Sequence, residues 1–251
     1  MADHVSIDLN ADLGEGASTD AALLDIITSA NIACGGHAGD EATMRQAVRL
    51  ALARGVGLGA HPSYPDRECF GRRALDLPPE VLVVSLAGQI DRLSRIAREE
   101  GGALRHVKAH GALYNVAVED AGVARAIGEA AQAVDPALLV VVLAGSRMAA
   151  VFREMGLRTV EEAFIDRGYT ASGRLVARDR PGALVTDPAA AAARAVRMVQ
   201  EGVVTSVEGS AIRVRAETLC VHADTPGSPG IAAAVRRALE AAGITLARMG
   251  T

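Results

Sequence analysis

Lysine is almost missing from this chain of 251 residues, which has one, Lys108, against 25 arginines. Tryptophan is absent, and there are three tyrosines and three phenylalanines. The three cysteines, Cys34, Cys69 and Cys220, are odd in number and contain no Cys-x-x-Cys pair. That argues against a disulfide framework and against a thiolate zinc site. Cys34 has the default reading of a small buried side chain rather than a nucleophile. The longest aliphatic run, 137–144, is far too short to span a bilayer. The start, Met1-Ala2-Asp3-His4, lacks the basic and apolar segments of a secretory signal, so a cytoplasmic protein is expected. Neither a Gly-x-x-x-x-Gly-Lys-Ser/Thr phosphate loop nor a Gly-x-Gly-x-x-Gly turn opening a helix is present, which leaves no recognised nucleotide site. With a net charge of −4 and arginines scattered along helical stretches, nothing suggests a nucleic-acid surface.

The one lysine that is present lies in the run His106-Val107-Lys108-Ala109-His110-Gly111-Ala112-Leu113-Tyr114-Asn115. Arginine replaces lysine as a solvated cation, but not where a compact ammonium with a tunable pKa is needed. Tyr64, Tyr114 and Tyr169 fall in stretches marked by glycine or proline and are expected in loops, where ligand contact and plain solvation are both open. The length suits one large α/β domain over 1–251, since half the residues are apolar and no linker is visible.

Short apolar runs alternate with helical stretches, which favours a parallel sheet with helical crossovers. Strands are expected near 5–10, 30–34, 57–60, 104–109, 138–143, 160–165 and 218–222. Helices are expected near 41–54, 79–99, 123–133, 147–154, 188–200 and 229–241, and a β-hairpin over 203–215. Polar residues gather where these strands end: Asp8, Asn10 and Asp12; His37 and Asp40; His61; Lys108 and His110; Asp166 and Arg167; His222 and Asp224. Only the fifth end, Ala144-Gly145-Ser146, lacks an ionisable group. Polar groups at nearly every strand end favour a closed barrel, where those ends converge on one face, over an open sheet. The expected fold is therefore a TIM-like, seven-stranded parallel β/α barrel.

Residues two apart on a strand share a face. Asp8, Asn10 and Asp12 then point one way, and Val5, Ile7 and Leu9 the other. The same parity joins His106, Lys108 and His110, and also Cys220, His222 and Asp224. A polar interior is unusual for a barrel, and a water-accessible site is the simplest reason for it.

Several motifs carry a functional reading and a plain one. In Asn31-Ile32-Ala33-Cys34-Gly35-Gly36-His37-Ala38-Gly39-Asp40, a helix N-terminus could take an anion, or Asp40 could simply cap the helix. The segment His61-Pro62-Ser63-Tyr64-Pro65-Asp66-Arg67, continuing to Phe70-Gly71-Arg72-Arg73, suits a lid or a carboxylate clamp, with Arg72 and Arg73 both open as the clamp or as solvated charges. Asp12, His37 and His61 are ligand types that zinc and iron accept, yet no local spacing requires a metal, and such groups also perform acid–base work unaided.

Six blocks, in order, resemble the LamB/YcsF family, the A component of the bacterial ATP-dependent 5-oxoprolinase. They are Asp8-Leu9-Asn10-Ala11-Asp12-Leu13-Gly14-Glu15, residues 31–40, Gly59-Ala60-His61-Pro62-Ser63-Tyr64-Pro65-Asp66, residues 108–115, Asp166-Arg167-Gly168-Tyr169, and Cys220-Val221-His222-Ala223-Asp224-Thr225-Pro226-Gly227. The resemblance covers essentially the whole chain. The family pattern has proline at the position of Ala109 and glycine at those of Cys69 and Ala223, and none of these differences removes an ionisable group. The resemblance implies a seven-stranded barrel similar to glycoside hydrolase/deacetylase barrels. It also implies opening of the lactam of 5-oxo-L-proline to L-glutamate, coupled to ATP hydrolysis in a complex with subunits B and C, with Mg2+ expected beside the ATP, partner subunits involved in binding it, and contact of ATP with this chain left open. The expected catalytic residues are Asp12, His37, His61, Lys108 and His110. Asp12, His37 or His61 would be the base, Lys108 would stabilise negative charge, and His110 would assist. Substrate contacts are expected from Asn10, Asn31, Arg72, Tyr114, Asp166, Arg167, His222 and Asp224. Lys108→Arg is expected to cost most of the activity with little change in fold. Two other readings stay open: a binding or regulatory subunit without its own chemistry, and a metal-dependent, deacetylase-like hydrolase.

Overall fold

The computed structural model describes residues 5–250; the tetrapeptide Met1–His4 lies outside them. The strands are β1 (Ser6–Leu13), β2 (Ser29–Ala33), β3 (Gly57–His61), β4 (Leu104–Val107), β5 (Leu139–Leu143), β6 (Thr159–Phe164), β7 (Val203–Thr205), β8 (Ala211–Arg213), β9 (Thr218–Val221) and β10 (Thr245–Leu246). Between them run α1 (Asp20–Leu24), α2 (Glu41–Ala53), α3 (Pro79–Glu99), α4 (Gly111–Glu119), α5 (Ala121–Val134), α6 (Met148–Glu154), α7 (Pro188–Glu201) and α8 (Ser228–Ala241). Strands β1 to β6 pair in sequence order, all parallel, and β9 pairs with both β6 and β1. That double pairing closes a seven-stranded barrel, as the strand count predicts. The expected hairpin is β7–β8, and β10 adds a short parallel extension to β1. No helix among the described residues is long and apolar enough to cross a membrane.

Three differences from the sequence-based expectation have local causes. Val5 precedes the first strand and is 47% exposed, so it does not join Ile7 and Leu9 on the apolar face. Helices α1 and α4 are not among those expected: α1 has only five residues, too few for an apolar period to show, and α4 opens at Gly111, a glycine with positive φ that reads as a turn in sequence. Because α4 starts at Gly111, Tyr114 sits on a helix, and all three tyrosines are buried rather than solvated.

Alternation along the strands separates two environments. Ile7, Leu9, Ala11 and Leu13 on β1, with Val140 and Val142 on β5, belong to the main apolar core. Out of phase with them, Leu139, Val141, Val160 and Met249 form a separate apolar cluster that plugs the barrel floor. Above it the interior turns polar. The Asp8 carboxylate accepts from Thr28 (2.7 Å), Ser29 (2.6 Å) and Thr218 (2.5 Å). Asn10 donates to Thr218 Oγ1 at 2.6 Å and to Glu162 Oε1 at 3.1 Å, and Asn31 donates to Asn10 Oδ1 at 2.7 Å and to Asp12 Oδ1 at 2.9 Å. The His106 ring lies across the barrel against Asn31 Oδ1 (2.8 Å). It fits because position 59 is glycine: a Cβ there would collide with the His106 ring at Nε2.

Burial raises the Asp8 pKa to about 6 against the opposing hydroxyl hydrogen bonds. The folded state thus holds this proton more tightly than the unfolded chain. Its contribution to stability is complete below about pH 4 and is lost as pH rises through about 6, roughly 3 kcal/mol in total. Relative to Asp8→Asn, wild-type protein is therefore expected to lose roughly 1.4 kcal/mol between pH 5 and pH 8 in urea unfolding. A pH-independent difference between the two proteins would contradict this account.

Candidate active site

The C-terminal ends of the strands open into a cavity of about 460 Å³. Asp12, His61, Lys108, His110 and Glu15 form its inner wall, and Arg72, Arg174, Arg178 and Asp224 its outer rim. Parity along the strands puts the inner groups there. Asp12 follows Asn10 on the inward face of β1, and Lys108 follows His106 just past the end of β4.

Lys108 is 2% exposed, and its ammonium is tightly enclosed. Nζ lies 2.8 Å from Glu162 Oε1, 3.0 Å from Asp12 Oδ1, 3.0 Å from Cys220 Sγ and 3.2 Å from Asn10 Oδ1. Burial disfavours the charge, but Asp12 heads the groups that outweigh it and hold the Lys108 pKa well above the ordinary value. Burial likewise opposes ionisation of Asp12, and there His61 and Lys108 hold the carboxyl well below the usual range. One cation and two carboxylates thus meet at the barrel mouth. The Cys220 thiol is pushed well up by burial in spite of Lys108, so it is a neutral neighbour.

Beside this triad, three imidazoles surround one carboxylate. Glu15 Oε1 is 2.9 Å from His37 Nε2, 3.2 Å from His110 Nδ1 and 3.7 Å from His61 Nε2. His61 Nε2 also lies 3.0 Å from His110 Nδ1 and 3.4 Å from Asp12 Oδ2. Backbone carbonyls orient two of the rings: His61 Nδ1 donates to Lys108 O at 2.8 Å, and His110 Nε2 to Phe70 O at 2.9 Å. Phe70 adopts φ 54°, a left-handed conformation uncommon for a bulky residue, which places its carbonyl on the site. The next residue is tightly packed too. A Cβ on Gly71 would come within 2.9 Å of His37 and 3.0 Å of His110.

At the rim, Asp224 pairs with Arg72 and, at 3.2 Å, with Arg178. Two guanidiniums share one carboxylate, leaving an excess positive charge facing the cavity. The loop over residues 166–187 carries Arg174 and Arg178 to this position. Arg167 ties that loop down by donating to Val176 O (2.7 Å) and Ala183 O (3.2 Å).

The expected site residues fall into two groups. Asp12, His61, Lys108, His110, Arg72, Tyr114, Arg167, His222 and Asp224 line the cavity. Asn10 and Asn31 lie within the barrel, below the lining and in contact with Asp12 and Lys108. His37 stands behind His110, its ring stacked at 3.6 Å. Asp166 is fully buried under His222, accepting from its backbone N–H (2.9 Å) and from Thr225 (2.6 Å), with its other oxygen 3.0 Å from His222 Nδ1. Asp40 is an N-cap, reciprocally bonded with Thr43, and Arg73 pairs with Asp66, so neither reaches the cavity. Among the metal-type ligands, the carboxylate touching His37 is Glu15, while Asp12 turns toward Lys108. Sequence patterns alone do not select Glu15, Glu162 or Arg178. Parity could have found Glu162, a charge two residues past inward-facing Val160. Nothing local marks Arg178.

A sequence model of the LamB/YcsF family matches residues 7–251. Among solved structures, a lactam utilization protein from Thermus thermophilus is 46% identical with a TM-score of 0.92, covering 98% of this chain and 100% of that one. A putative cellobiose-phosphate cleavage protein from Enterococcus faecalis is 13% identical with a TM-score of 0.54, covering 98% and 97%. A family 4 carbohydrate esterase from Streptomyces lividans is 12% identical with a TM-score of 0.50, covering 96% and 91%. At those two identities the likeness concerns the barrel fold alone. The family match over nearly the full length, together with the Thermus relative, shows that this chain belongs to the LamB/YcsF family.

Proposed function

We propose that this chain opens the lactam ring of 5-oxo-L-proline to L-glutamate as the A component of an ATP-dependent 5-oxoprolinase, acting with subunits B and C. The observation that carries this reading is the polarity of the cavity. An enclosed ammonium and a carboxylate stand at its inner wall, and an excess of guanidinium charge stands at its rim. A small substrate with a carboxylate at one end and an amide at the other matches that arrangement. The lactam utilization protein similar to this chain supports the same reaction class.

An unactivated lactam is a poor acyl donor. Transfer of the ATP γ-phosphoryl group to the amide oxygen, releasing ADP, makes the ring carbon electrophilic. Water adds to that carbon and gives up a proton to Asp12, which lines the cavity and whose Oδ2 lies 3.4 Å from His61 Nε2. The ring C–N bond then breaks, the nitrogen takes a proton, and the resulting acyl phosphate is cleaved by a second water to glutamate and phosphate. Lys108 opposes the negative charge that develops on oxygen. The chain carries no recognised nucleotide loop, and in this proposal the partner subunits take part in binding ATP with its Mg2+.

Glutamate release from 5-oxoproline, measured with each subunit and ATP omitted in turn, tests the assignment. Activity requiring all three subunits and ATP is expected; hydrolysis by this chain alone without ATP would replace the reading with an unassisted hydrolase. The rim makes a separate prediction. Arg178→Ala is expected to raise KM about tenfold or more with kcat nearly unchanged, the effect of losing one charged hydrogen bond to the substrate carboxylate.

A further inference from the structure

We infer that Glu15, His61 and His110 bind a divalent transition-metal ion of the zinc class, with His37 turning in as a fourth ligand. This goes beyond the proposed reaction, because it concerns what the isolated chain binds whether or not a lactam is its substrate.

Hydrogen-bond polarity fixes which ring nitrogens are free to bind. A backbone carbonyl accepts only from an N–H, so the bonds to Lys108 O and Phe70 O place a proton on His61 Nδ1 and on His110 Nε2. Without a second ring proton, the one that makes His61 a cation toward Asp12, His61 Nε2 and His110 Nδ1 carry lone pairs, and these face each other at 3.0 Å with the Glu15 carboxylate beside them. Three electron-rich atoms so close together hold a positive centre among them, and a metal ion can take the place of that proton. The carbonyl bonds are also the outer-shell contacts that orient metal-binding histidines.

The spacing agrees. Ligand atoms about 2.0–2.1 Å from a tetrahedral ion stand about 3.3–3.4 Å from one another. The three separations are 3.0, 3.2 and 3.7 Å, which bracket that edge, and the two rings are 88° apart, so their lone pairs approach from different planes. One ligand atom from each of Glu15, His37, His61 and His110 lies within 4.8 Å of the others, and His37 Nε2 is 2.9 Å from Glu15 Oε1. His37 is stacked parallel on His110, so the two rings as placed cannot both point at one ion. Its Nδ1 is buried without a hydrogen-bond partner, so a turn of the ring breaks no bond at that atom, and the bond at Nε2 is to Glu15, itself a proposed ligand. Two nitrogens fixed by carbonyls, one carboxylate and a further imidazole beside them suit zinc, cobalt or iron better than magnesium or calcium, which prefer all-oxygen shells.

A second convergent group, Asp12, Cys220 and His222, does not carry the same inference. Lys108 Nζ already stands 3.0 Å from both Asp12 and Cys220 and supplies the positive charge there.

The test uses the full chain alone. Protein purified without chelator is analysed for metal by mass spectrometry, then stripped and titrated with Co2+ and Zn2+. Expected are about one ion per chain, visible cobalt bands of a low-coordinate site, and a rise in Tm of about 5–10 °C at a hundredfold excess over Kd. The cobalt bands should vanish in His61→Ala/His110→Ala. Where that double variant does not fold, Glu15→Gln, which keeps the side-chain shape, should lose them instead. A wild-type chain with neither bands nor a Tm shift would overturn the inference, leaving a proton on His61 Nε2 as the positive centre. Bands that persist in a folded double variant would overturn it as well. A chain that binds the ion but releases no glutamate in the reconstituted assay would count against the proposed reaction only.

Discussion

Lys108→Met is expected to lower ATP-dependent glutamate release in the assembled complex about 10³-fold. Removing one preorganised donor from a developing oxyanion costs about 10²–10³-fold in characterised enzymes, and here the donor carries a full charge in an enclosed setting. The same substitution leaves Asp12 and Glu162 facing each other with no cation between them. Breaking a buried pair by removing one partner costs roughly 3–5 kcal/mol of stability. Lost activity could therefore reflect lost fold. The double variant Lys108→Met/Glu162→Gln separates these effects, since it removes one of the stranded negative charges. It should recover part of the stability, read from urea unfolding, and none of the activity. Activity returning together with stability would show that Lys108 is structural. The enclosure also revises the expectation for Lys108→Arg. With partners at 2.8–3.2 Å around Nζ there is no room for a guanidinium, so this variant should lose stability as well as turnover.

Asp12→Asn is expected to reduce kcat by about 10²–10⁴-fold, the usual effect of losing a positioned general base, with KM changed much less. Asparagine is nearly isosteric and keeps an oxygen for Lys108 and Asn31, and Glu162 still pairs the ammonium, so the fold should survive. Because Asp12 and Lys108 touch, their effects should not multiply. Combined with Lys108→Met, the Asp12 substitution should add far less than its own factor. Rate constants from single-turnover glutamate release would measure this coupling. Full multiplicativity of the two losses would indicate that they serve separate steps.

The barrel was legible in the sequence because its signals are local. Period-two alternation on β1 separates Asp8, Asn10 and Asp12 from Ile7 and Leu9, and the chain does place these sets on opposite sides of the barrel wall. Helix starts were equally readable where a cap marks them, as Asp40 marks α2. Less legible were the shortest elements, of five residues or fewer, that lack a clear period, and segments with none. These include α1, β10 and the loop over 166–187 that brings Arg178 to the rim.

For the site, the one-lysine composition and the polar strand ends put Lys108, Asp12, His61 and His110 among the candidates, together with residues such as Asp40 that the structure keeps away from the cavity. Residue type and parity determine which side chains can face the mouth, since both are properties of a few consecutive positions. Which of them meet was decided by the barrel's closure. Glu162 pairs with Lys108 across 54 positions of chain, Glu15 is shared by histidines from three different segments, and Arg72 and Arg178 converge on Asp224 from either side of the mouth. Distances between residues so far apart in sequence depend on strand order and on the curvature that joins β9 to β1, and no local pattern encodes those. The sequence by itself therefore determined the chemistry available at the barrel mouth, and the tertiary structure alone decided how that chemistry is divided: an ammonium held between two carboxylates, and three imidazoles gathered around a third.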